Sequence, residues 1–144
     1  MRKAMLYGMA AVCAVGCAAP PARLHVGPLD GDVAGWIATH PLAPDAGIRA
    51  DRLVRLDGTS HHLVQVRTQE TPHRHATHDL QVLVLRGGGT LHLGDATIAL
   101  RAGDVAIVPR GTAHWFVADG REVAVALVAF SPPLDAPDQE PVTP

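Results

Sequence analysis

Lysine is almost missing from this chain. Lys3 is the sole lysine among 144 residues, and 12 basic residues face 14 acidic ones, a formal charge of −2. The arginines are scattered singly, so no basic stripe exists to follow a phosphate backbone, which argues against nucleic acid as a partner. Aromatic residues make up 3%, so stacking platforms for single strands are absent too. Cysteine is confined to Cys13 and Cys17, which rules out the disulfide framework common in small exported domains. Phosphate-loop, Ser-His-Asp, Cys-His, flavin, nicotinamide and haem motifs are also absent: Gly87-Gly88-Gly89 has no GxxxxGK pattern and no helix after it. What remains is an apolar fraction of 47%, enough for a packed core, with 14 glycines and 12 prolines that indicate many turns. The anomaly is histidine. There are nine, and His61, His62, His73, His75 and His78 crowd one stretch.

The first 17 residues read as an address. Arg2 and Lys3 precede an uncharged apolar run, Ala4 to Gly16, too short to span a bilayer core of about 30 Å as a helix. Ala14-Val15-Gly16-Cys17 resembles a bacterial lipobox. That resemblance implies cleavage before Cys17, loss of Cys13 with the signal, and acylation of Cys17. Several acyl chains anchor a protein stably, since each buried CH₂ contributes about 0.8 kcal/mol. Ala18 after the cysteine points, by analogy with other lipoproteins, to the periplasmic face of the outer membrane. The expected organisation is a signal peptide over 1–17, a tether and short helix over 18–48, one domain over 49–131, and a Pro/acid-rich tail over 132–144.

Ala18 to Pro28 has no apolar period and reads as the tether. The next segment predicts a short helix between Asp30 and Thr39, with Asp32 as N-cap and Val33, Trp36 and Ile37 on one face. His40-Pro41 ends it. From Arg49 the period becomes two. Strands are expected at Leu53–Leu56, His62–Arg67, Leu80–Leu85, Thr90–Leu93, Thr97–Leu100, Val105–Val108, His114–Val117 and Val123–Phe130. Turns fall at Gly87-Gly88-Gly89, Gly94-Asp95 and Ala102-Gly103-Asp104. Turn signals every 8–12 residues mark an all-β sandwich or barrel.

His73-Arg74-His75 opens the apolar strand Leu80–Leu85. Side chains two apart on a strand share a face, about 6.6 Å apart along it. Two imidazoles so placed can meet one metal but cannot complete its coordination, and His114 is the natural third. The single histidines His25, His40, His61 and His62 read as solvated or internally satisfied. His92, between two leucines, should face outward. Trp115 should point away from His114 and serve packing. Gln81 reads as solvent-facing or as a hydrogen-bond partner of a ligand or histidine, and Glu70 as solvated.

Gly103, Pro109, Gly111 and His114 match the spacing of the second motif of the cupin superfamily: Gly, five residues, Pro, one residue, Gly, two residues, His. His73 and His75 supply the HxH of its first motif. The chain therefore resembles a small single-domain cupin over Arg49 to Phe130. The resemblance implies an all-β double-stranded β-helix, that is, a jelly-roll barrel with a central pocket. It also implies a divalent metal (Fe, Mn, Zn or Ni) on His73, His75 and His114. The family's usual glutamate position falls on Leu80, so the fourth ligand is open, with Asp79 and His78 as candidates. Imidazole alone does not select among these metals.

Three functions fit these observations. One is a metal-dependent enzyme, oxygenase- or isomerase-like, on a small molecule. Another is a binding module for a small ligand or metal without turnover. The third is an interaction lipoprotein with a vacant barrel. No general base of recognisable spacing is visible. A domain this small gains from association, so a homodimer is also expected.

Overall fold

The computed structural model describes residues 22–26 and 29–143. The expected signal peptide, lipobox and most of the tether lie outside the described residues. The described part of the tether is more ordered than its composition predicts: β1 (Arg23–Val26) and β2 (Leu29–Asp32) form an antiparallel hairpin. α1 (Val33–Thr39) follows directly. Its start is where the sequence puts it, because the Asp32 carboxylate accepts from Gly35 N at 2.7 Å.

The remaining strands are β3 (Ile48–Arg55), β4 (Ser60–Val66), β5 (His73–His75), β6 (Asp79–Arg86), β7 (Gly88–Leu93), β8 (Ala96–Arg101), β9 (Val105–Val108), β10 (His114–Ala118), β11 (Ala124–Ser131) and β12 (Gln139–Pro141). They form two five-stranded sheets, ordered β3-β4-β11-β6-β9 and β12-β5-β10-β7-β8. Strands from distant parts of the chain alternate between the two sheets, giving the expected all-β jelly-roll barrel.

Period-two alternation decides what the sheets enclose. Leu80, Val82 and Val84 of β6, with Ala126, Val128 and Phe130 of β11, face inward and line the central cavity. β4 is buried on both faces for a reason of packing. His62, Val64 and Val66 face the cavity. Leu63, on the outer face, is fully buried in a second cluster with Leu24, Val33 and Val125, supported by Trp36 and Ile37. The N-terminal hairpin and helix thus cap one side of the barrel.

Two expected features differ. His73–His75 is not the start of the Leu80 strand. It is a separate strand in the other sheet, held by β10 on one side and β12 on the other. The chain changes sheets between β5 and β6. The triple glycine is not wholly a turn either. Gly87 has φ +67 and makes the turn, but Gly88 and Gly89 belong to β7. A Cβ on Gly89 would collide with the Val117 carbonyl and the Phe116 ring of the neighbouring strand. Gly89→Ala should therefore destabilise the fold by about 1–3 kcal/mol, measured as a lowered urea midpoint with an unchanged slope.

Candidate metal centre and pocket

β5 and β10 meet at a single register pair, His114 opposite His73. His75 lies two residues from His73 on the same face, so three imidazoles converge from two strands. Their ring centroids are 4.4 Å (His73–His114), 5.1 Å (His73–His75) and 5.5 Å (His75–His114) apart. One nitrogen from each lies within 4.8 Å of the others, and all three residues are buried.

The other nitrogen of each ring is committed. His73 Nδ1 lies 2.7 Å from the Thr71 carbonyl, and His114 Nδ1 lies 3.0 Å from the Thr112 carbonyl. His75 Nδ1 lies 2.5 Å from Asp138 Oδ1. A carbonyl or carboxylate oxygen only accepts, so each Nδ1 carries the proton and each Nε2 presents its lone pair. Gln139 reads one of those lone pairs: its amide nitrogen donates to His73 Nε2 at 3.2 Å.

The titration behaviour agrees. Burial, aided by the neighbouring His73 and His75, lowers His114 to about 4, although the Thr112 contact opposes it. Burial also lowers His75, against the opposing pull of Asp138. Neutral imidazole is the form that binds metal. Burial would raise the Asp138 carboxyl, but hydrogen bonds from His75, His78 and Thr77 outweigh it and hold it well below the usual range.

The two candidates for a fourth ligand are engaged elsewhere. Asp79 is paired with Arg110 at 2.5 Å and also accepts from the Arg110 backbone N–H, which brings it to about 2. It opens β6 at the surface of the other sheet. His78 bonds Asp138 through Nδ1 and faces the Pro133 carbonyl through Nε2 at 3.2 Å. Neither of its nitrogens is free for the cluster.

Three residues of the site escaped the sequence reading. Glu70 is not solvated. Its Oε2 accepts from Phe116 N at 2.9 Å, it lines the cavity, and burial raises its carboxyl. Asp138 and Gln139 come from the expected tail, which instead forms a strap along the cavity. Ser60 Oγ accepts from Leu134 N, Arg55 pairs with Asp135, Arg74 pairs with Glu140, and β12 adds to β5. Other expectations match: Gln81 is exposed, and Trp115 stacks on His92 away from the cluster, with centroids 4.3 Å apart. His62 is satisfied by Ser60 at 2.9 Å and also borders the cavity. Behind the cluster lies an apolar cavity of about 400 Å³.

His114 predicts an acid weakness of the metal-free fold. Its folded value, about 4, lies below the ~6.5 of an unfolded imidazole. The unfolded chain therefore binds the proton first as pH falls. Stability is full above about pH 6.5 and declines toward pH 4, by at most ~3 kcal/mol for this group. In melts from pH 7 to 4, His114→Gln should show a smaller fall than the parent.

A family model described as a cupin domain matches residues 60–130. An uncharacterized protein of Aquifex aeolicus is 37% identical over 97 residues, covering 65% of this chain and 79% of that one. A 47-residue stretch is 51% identical to acireductone dioxygenase 1 of Nocardia farcinica, covering 31% of this chain and 25% of that protein. Among solved structures, KdgF from a Halomonas species aligns with a TM-score of 0.57 and 26% identity, over 63% of this chain and 85% of that one. A cupin-2 domain protein from Rhodospirillum rubrum aligns with a TM-score of 0.60 and 23% identity, over 70% and 69%. With the barrel topology and the HxH and Gly-Pro-Gly-His motifs in place, this chain belongs to the cupin superfamily.

Proposed function

We propose that the protein is a metal-dependent cupin that acts on a small molecule held in the barrel. His73, His75 and His114 hold one divalent cation through Nε2. The carrying observation is that all three rings have Nδ1 tied to an acceptor, which leaves three buried acceptor nitrogens within 4.8 Å of one another, with the Gln139 amide donating to that of His73. Three neutral ligands leave the cation's charge uncompensated and a position open, as in catalytic rather than structural sites. A cation bound there acts as a Lewis acid on water or on a ligand oxygen. Fe, Mn, Zn and Ni all suit three imidazoles.

Glu70 favours turnover over storage. A carboxylate buried in the same cavity can accept a proton from a bound molecule, which a storage site does not require. The stretch shared with a protein named acireductone dioxygenase 1 supports the oxygenase-like form of this reading over the isomerase-like one. The proposal includes export and anchoring in the cell envelope, carried by Ala14-Val15-Gly16-Cys17.

Two measurements check it. Elemental analysis of the protein, purified without nickel affinity, should find about one equivalent of metal. His75→Ala should lose that metal while keeping a β-type circular dichroism spectrum, and unchanged metal content would refute the site. Cys17→Ser should move the protein from the membrane to the soluble fraction, and continued membrane association would refute acylation.

A further inference from the structure

The cavity wall is chemically one-sided. Its apolar part includes Val64, Val82, Val84, Leu91, Phe116 and Val128. Its charged groups are all acids: Glu70, Asp135 and Asp138. No lysine or arginine among the described residues lines it. The guanidinium of Arg55 is paired with Asp135, and Arg52 lies 3.9 Å from the same carboxylate. An anion entering this space would meet no cation from the protein. A polyol would find few partners along the apolar wall, and burying polar groups without partners is costly.

The polar end is equally specific. Phe116 follows His114 by two residues on β10, so it shares the inward face. Its N–H holds Glu70 Oε2, and no donor among the described residues reaches Glu70 Oε1. That oxygen belongs to a carboxylate lining the same cavity as the three histidines.

We propose that the ligand of this site is a small molecule with an uncharged, apolar, ring-sized body and a hydroxyl-bearing head, not a sugar and not a molecule with an anionic group on its body. The body lies among the valines and leucines. The head sits at the histidine cluster, with a hydroxyl donating to Glu70 Oε1. This rests on the metal reading for the head but not for the body.

Two probes with the same head separate the possibilities: 4-methylcatechol and 3,4-dihydroxybenzoate, which differ by a methyl against a carboxylate. Affinities are measured by calorimetry on the full chain, both zinc-loaded and metal-free. The expected result is that 4-methylcatechol binds at least about 10-fold more tightly in both states. Glu70→Gln should weaken it about 10-fold with zinc content unchanged. Equal affinity, a preference for the carboxylate, or no binding of either probe would overturn the proposal. Failure to take up zinc would refute the metal reading alone, because the metal-free comparison still decides the body's chemistry.

Discussion

Three oxygen atoms determine what this barrel can hold. The carbonyls of Thr71 and Thr112 and the carboxylate of Asp138 each claim the Nδ1 proton of a buried histidine. A histidine free to choose its tautomer would present a donor as readily as a lone pair. Fixed in this way, His73, His75 and His114 offer three acceptors to one another, and among the described residues only that of His73 meets a donor, the Gln139 amide, an arrangement that a cation relieves. Two of the fixing groups are backbone atoms two residues before their histidines, so the local chain path builds them in. The third comes from far along the chain.

That third group links the site to the C-terminal strap. Asp138 receives hydrogen bonds from both His75 and His78, and Thr77 adds another. The neighbouring Gln139 touches His73, and β12 extends the sheet that carries the cluster. The strap therefore orients one ligand and walls part of the cavity at once. Carboxylates that orient metal-binding imidazoles commonly matter to affinity by about 10–100-fold. Around this polar end the barrel is apolar and shielded, which strengthens every charge interaction inside it.

Much of this was legible in the sequence where the signals are local. Asp32 caps its helix because a cap needs only a side chain and an amide three residues on. The barrel strands follow from alternation and glycine turns. His73, His75 and His114 stand out because strand spacing and the Gly-Pro-Gly-His pattern set their faces. What escaped depends on distant pairing. Glu70, between Gln69 and Thr71, has no apolar neighbour to signal burial, yet the bridge of Gln69 to Val117 lays its segment along β10. Asp138 sits in a Pro-rich stretch without period, and only the pairing of β12 with β5 brings it to His75. Asp79 is adjacent in sequence to His78, but the change of sheet between β5 and β6 turns it to Arg110. Burial of β4 on both faces likewise depends on a hairpin that composition reads as tether.

The central claim concerns protons on three rings, and nitrogen-15 NMR of the histidine side chains reads them directly. The metal-free protein at neutral pH should show His73, His75 and His114 as Nδ1–H tautomers. Adding zinc should shift their three Nε2 resonances together and saturate at about one equivalent. Nε2–H tautomers at these residues, or Nε2 resonances that zinc leaves in place, would contradict the account.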